Sequence, residues 1–155
     1  MKRVIYLIAT AVFMCGCSED NNVTVTSFSS IVITDTIIVG IRPDSENSSL
    51  CDLKGIIIDA NGKFVNDATV TLGIGTGSTE NFFPIAVLEK VFSGRDGQDG
   101  QYEFTGINTD LSDYSSKYVA EVYHYIIVSK SGDTTKVKKI ELQPGKIIKM
   151  DIQLQ

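Results

Sequence analysis

From Val23 onward the apolar residues fall in short β-branched stretches, alternating with polar ones or running three together, and no long window carries the i, i+3, i+4, i+7 spacing of an amphipathic helix. The pattern predicts an all-β chain. Val23 to Phe28 and Ile31 to Ile41 read as an edge-like pair or one bent strand. Arg42-Pro43-Asp44-Ser45-Glu46-Asn47-Ser48-Ser49 reads as a linker, because proline, charge and small polar residues crowd into it. The main module then begins near Leu50. Its expected strands are Leu53 to Ala60, Ala68 to Leu72 (paired with its predecessor), Pro84 to Phe92, Tyr102 to Phe104, Tyr118 to Lys130, Thr135 to Leu142 and Ile147 to Leu154. Asn61-Gly62, Ser93 to Gly100, Ser131-Gly132-Asp133 and Gln143-Pro144-Gly145-Lys146 supply turns between them. In the last strand Ile148, Met150, Ile152 and Leu154 share one face, and Lys149, Asp151 and Gln153 the other.

Seven such strands cannot cover their apolar faces unless two sheets stack, so the expected architecture is a seven-stranded β-sandwich carrying an N-terminal β-rich arm. Size agrees with one domain: 155 residues, 43% hydrophobic and 21% charged, enough to bury roughly two thirds of the unfolded surface without a disulfide scaffold. No repeat of solenoid or propeller period is present.

The first residues, MKRVIYLIATAVFMCGCSED, combine a basic start (Lys2, Arg3), an apolar run from Val4 to Met14 and small residues before Cys17. This is the layout of an export signal. The apolar run falls short of the roughly twenty residues a bilayer span requires, which disfavours a permanent transmembrane helix. Met14-Cys15-Gly16-Cys17 resembles the lipobox of bacterial lipoproteins, with Met14 and Cys15 departing from the commoner Leu and Ala or Ser. The resemblance implies cleavage after residue 16 and a diacylglyceryl group on Cys17, with Cys15 the lesser candidate. Two or more acyl chains suffice for stable anchoring. Loss of Lys2 and Arg3 leaves 12 basic against 19 acidic residues, a formal charge of −7. Nucleic acid is therefore an unexpected partner. Ser18-Glu19-Asp20-Asn21-Asn22 resembles the acidic surface-export signal of Bacteroides-group lipoproteins; a solvated tether is the alternative. The expected location is the outer membrane, lipid-anchored and at the cell surface. The expected layout is a leader (1–16), a tether with the β-rich arm (17–50) and the sandwich (51–155).

Leu53-Lys54-Gly55-Ile56-Ile57-Ile58-Asp59-Ala60-Asn61-Gly62, followed by Asn66-Asp67-Ala68-Thr69-Val70-Thr71-Leu72, resembles the opening strands of carboxypeptidase regulatory-like domains, which are transthyretin-like sandwiches. Asp99-Gly100-Gln101-Tyr102-Glu103-Phe104 and Ile126 to Gly132 extend the resemblance over residues 52 to 155. Departures are the long stretch from Gly73 to Ser93 and Asp133 in place of the usual aromatic. Such modules serve as accessory, adhesion and assembly domains, so the resemblance implies a fold more than a function.

Candidate chemistry is sparse. A single histidine rules out HExxH and Cys2His2 metal sites, and His124, in phase with Val122, Ile126 and Val128, reads as a structural side chain rather than a general base. No GxSxG or SxxK motif accompanies it. No catalytic residue and no cofactor are expected, and the chain is read as a non-enzyme. Gly73-Ile74-Gly75-Thr76-Gly77 lacks the helix a phosphate cradle needs and reads as a flexible strand exit. Asp96, Asp99, Asp110 and Asp113 could offer calcium ligands but read as ordinary polar turns, without the alternating Asp pattern. Cys51, the lone thiol after lipidation of Cys17 and removal of Cys15, reads as a buried small apolar residue. Asp35-Thr36-Ile37 and Asp133-Thr134-Thr135 resemble the short O-glycosylation sites of Bacteroides-group proteins. Contact residues are expected among the aromatics: Phe82 and Phe83 in a polar loop, Tyr114 and Tyr118, with Tyr123 and Tyr125 nearby. A loop folded back to cap the sandwich edge is the competing role for Phe82-Phe83. The function expected is a membrane-anchored accessory or binding module that contacts an envelope protein or glycan; the alternative is a fimbria-like subunit whose arm pairs with a neighbouring sheet.

Overall fold

The computed structural model describes residues 30–44, 48–78, 81–115, 121–135 and 137–155. Cys17, Tyr118, the leader and the Val23 to Phe28 stretch lie outside them. The described chain is all-β: β1 (Ile31–Ile41), β2 (Leu50–Ile58), β3 (Thr69–Gly77), β4 (Phe82–Phe92), β5 (Gln101–Asn108), β6 (Val122–Lys130), β7 (Asp133–Thr134), β8 (Lys138–Ile140) and β9 (Lys146–Leu154), with one short 3-10 turn at Arg95–Gly97. They form a four-stranded sheet in the order β1-β9-β2-β5 and a five-stranded sheet in which β4-β3-β6-β7 follow one another and β8 also pairs with β6.

One apolar core lies between the two sheets. Leu53 and Ile57 of β2, Tyr102 and Phe104 of β5, and Ile148, Met150, Ile152 and Leu154 of β9 meet Val70 and Leu72 of β3 and Ile126 and Val128 of β6. Alternation explains why these residues are inside: each strand sends every second side chain inward. The expected inward face of β9 is the observed one. Its opposite face differs at Asp151, which is buried because its carboxylate accepts the Ile56 N–H at 3.1 Å and pairs with Lys149 at 2.5 Å.

Two local expectations change. The strand from Ala68 does not pair with its predecessor. β2 is flanked by β5 and β9, and β3 crosses to the other sheet beside β4 and β6. The crossing is clamped by Ser93: its hydroxyl donates to the Val65 carbonyl (2.6 Å) and accepts the Ala68 N–H (3.1 Å). Asn61-Gly62 therefore turns the chain into the Ile58–Phe64 bridge rather than into a two-strand hairpin. Residues Thr135 to Leu142 do not form one strand either. Thr135 turns its hydroxyl onto the Val128 N–H (3.0 Å) while its own N–H donates to the Val128 carbonyl (2.9 Å), and this local substitution divides β7 from β8. Among the described residues the module from Leu50 thus has eight strands where seven are expected.

The Ile31 to Ile41 part of the arm, expected as an edge-like strand, packs on the body. β1 pairs antiparallel with β9 along its whole length, from Ile31–Leu154 to Ile41–Lys146, and is the outer strand of the first sheet. The chain after it is held as well. Arg42 donates its main-chain N–H to the Gly145 carbonyl at 2.9 Å, and its guanidinium joins Asp44 and Asp52. That pairing holds the Asp44 carboxyl below the ordinary carboxylate range.

Candidate functional site

Glycine spacing on β3 positions the aromatic residues. Gly73 and Gly75 lie on the outer face, and their register partners on β6 are Tyr125 and Tyr123. With no side chain on β3 at those points, the Tyr125 ring lies down across Gly73, where a Cβ would come within 2.5 Å of it. The Phe82 ring covers Gly75 in the same way, at 2.3 Å from an added Cβ. Phe82 and Tyr125 meet edge to face with centroids 4.7 Å apart. Tyr123 completes the layer, donating its hydroxyl to the Gly77 carbonyl at 2.9 Å. The glycine run is thus a continuous strand paved with rings rather than a flexible exit. A Gly-x-Gly alternation facing Tyr-x-Tyr was the available sequence signal.

Phe82 and Phe83 stand in β4, not in a loop. Being neighbours on a strand they point to opposite faces: Phe82 is spent on the ring layer, and Phe83 is 64% exposed. The capping role and the contact role fall to different residues. Tyr114, partly exposed, sits in the turn after β5, its N–H bonded to the Leu111 carbonyl at 3.0 Å. Nothing brings it to Phe82 or Phe83 among the described residues.

The remaining candidates resolve into structure. His124 is 4% exposed, and its Nε2 lies 3.0 Å from the Asn108 carbonyl, to which it donates. Burial, against that hydrogen bond, holds its imidazole below the ordinary value. Cys51 is fully buried and burial pushes its thiol up, away from thiolate reactivity. Asp99 accepts from the Asn66 side chain (3.0 Å) and Asp110 from the Ser112 N–H (2.9 Å), so they belong to different turns.

Two features emerge that sequence reasoning missed. Among the described residues, ten of the twelve exposed large apolar side chains lie on β1 and β4: Val32, Ile37, Ile38, Val39 and Ile41 on the first, Phe83, Ile85, Val87, Leu88 and Phe92 on the second. Among the described residues each strand is the outer member of its sheet, paired on one side, to β9 and to β3 respectively. β4 carries two register shifts and β1 two more, which spread apolar residues over both faces. The second feature is a groove of about 670 Å³ where β4 and β5 approach each other, lined by Lys54, Lys90, Arg95, Lys149, Gln98 and Gln101 among others.

No protein-family model matches the sequence, and no curated protein matches it. Among solved structures, the chain is similar to 3-chlorocatechol 1,2-dioxygenase from Rhodococcus opacus 1CP at 10% identity and a TM-score of 0.39, covering 74% of this chain and 63% of that one. A likeness at that level carries no inference about activity.

Proposed function

We propose that the protein is a lipid-anchored, non-catalytic envelope component with a transthyretin-like body, which contacts an envelope protein or glycan. The anchor rests on the leader and Gly16-Cys17; the family reading rests on the Leu53 to Gly62 and Asp99 to Phe104 segments. The contact role is carried by one observation, the gathering of exposed apolar side chains on the two outer strands. An outer strand offers unpaired N–H and C=O groups along its free side, and soluble proteins ordinarily protect such edges with charge or proline. β1 has only Asp35 as a charge, and β4 has Pro84, Glu89 and Lys90 at or beyond its bulges. Edges of this kind take an added strand from a partner.

Polymer formation is the second reading, favoured because the two edges belong to different sheets. Joining β1 of one copy to β4 of the next is head-to-tail, and such contacts propagate instead of closing. Photo-crosslinkers at Ile38 and Val87, with Lys63 as an exposed control, test both readings in cells. Edge-specific adducts with a second polypeptide support the accessory role, and edge-specific adducts between copies support the polymer. Adducts no more frequent at the edges than at Lys63 overturn the contact role.

A further inference from the structure

The groove between β4 and β5 departs from the charge of the rest of the chain. The sequence is acidic, at −5 overall, yet four cations line this groove, with Glu103 the one carboxylate beside them. Lys149 is satisfied by Asp151, a contact that raises its pKa and keeps it charged. Lys54, Lys90 and Arg95 form no ion pair among the described residues. Glu103 is the register partner of Lys54 but does not reach it. Three cations without an ion pair among the described residues, against one carboxylate, leave a net positive potential in this concavity. Their placement follows from the fold: Lys54 and Lys149 are register partners on β2 and β9, whereas Lys90 and Arg95 arrive from β4 and the turn after it.

We propose that this groove is the binding site for an acidic glycan, a chain of sugars bearing carboxylate or sulfate groups; the inference rests on the glycan branch of the reading above and names its ligand class. Cations spaced along an open groove suit anions repeated along a chain, and the amides of Gln98 and Gln101 both donate and accept, as sugar hydroxyls require. A nucleic acid fits less well. Arg95 covers the Phe92 ring, its guanidinium carbon 4.1 Å from the centroid, so that face is closed to a base. That stacked guanidinium is held in place for the ligand, which lowers the entropic cost of meeting it.

The test is calorimetric titration of the full chain in mild detergent with an oligogalacturonate, a sulfated oligosaccharide, a neutral dextran of equal length and single-stranded DNA. The expected result is binding of one or both acidic glycans, weakening as salt rises, with no heat from dextran. Lys54→Glu combined with Lys90→Glu should reduce affinity about tenfold or more, and Lys63→Glu, away from the groove, should leave it unchanged. Arg95→Lys should weaken binding while keeping the charge, because the planar stacked group is lost. Dextran binding equally well, DNA binding more tightly than either glycan, no binding of either acidic glycan, or equal loss in the Lys63 variant overturns the proposal. Membrane partition of the same samples separates the two ideas: a lipidated chain that ignores acidic glycans refutes the groove alone, and an unlipidated chain that binds them refutes the anchor alone.

Discussion

The Tyr102 hydroxyl donates to the Met150 carbonyl at 2.7 Å, reaching from β5 across the whole width of β2 to β9. It can do so because its register partner is Gly55, over which the ring passes. At the same level the β2–β9 ladder is interrupted, between Lys54–Lys149 and Ile57–Ile152. Two side chains mend the gap: Tyr102 serves the Met150 carbonyl, and the Asp151 carboxylate serves the Ile56 N–H. Burial, with Asp151 adding to it, pushes the Tyr102 phenol far up, so it remains a donor at any ordinary pH. Replacing Tyr102 by Phe keeps the ring and leaves the carbonyl buried without a partner. The expected loss is about 1–3 kcal/mol of stability, read by urea unfolding, and an unchanged midpoint would mean that the contact contributes nothing.

Gly75→Ala should destabilise by about 1–3 kcal/mol, since the new methyl collides mainly with the flexible Phe82 ring. Adding Phe82→Ala should recover part of that loss, giving a coupling that a double-mutant cycle detects. Gly73→Ala meets the Ala86 carbonyl at 2.5 Å as well as Tyr125, and main chain cannot step aside. No truncation of Tyr125 should rescue it. Additive behaviour of Gly75→Ala and Phe82→Ala would refute the paved-strand account.

His124 sets a pH dependence. Burial lowers its folded-state pKa below the ordinary value near 6.5, so as pH falls through that value the unfolded chain takes up a proton that the native chain refuses. Stability is full above the unfolded pKa and declines between it and the lower folded one. Chemical unfolding at about pH 7.5 and about pH 5.5 should show a loss in the natural chain that shrinks in His124→Gln. Equal losses in the two would remove His124 as the cause.

Ser93→Ala withdraws the hydroxyl from the Val65 carbonyl and the Ala68 N–H in the interior. A cost of about 2–4 kcal/mol is expected for two buried groups, visible as an early thermal transition. A cost near that of an exposed serine would show that water enters the clamp.

Cys17→Ala should move the chain from the detergent phase to the aqueous phase on temperature-induced separation, whereas Cys15→Ala should not. Retention of the Cys17 variant in the detergent phase would refute the anchor.

The strands themselves were readable along the chain because their cause is local. An apolar–polar alternation such as Lys149 to Leu154 has one way to bury its apolar half, and Asn61-Gly62 takes positive φ (78° at Gly62) for reasons internal to that residue. The burial of His124 followed from the same phase argument, that of Cys51 from its being a lone thiol with no chemistry around it. Partnership was not local. That β3 leaves β2 for the second sheet depends on Ser93, far along the chain, holding the crossing. That Phe82 is covered while Phe83 is bare depends on a strand beginning two residues earlier than the proline suggested. The groove joins Lys54, Lys90, Arg95 and Lys149, which no spacing connects. The sequence by itself determined an alternating, two-faced all-β chain. Tertiary structure alone decided which strands were left outermost and which charges met, because both depend on contacts between residues distant in the chain, whose free energies no local pattern encodes.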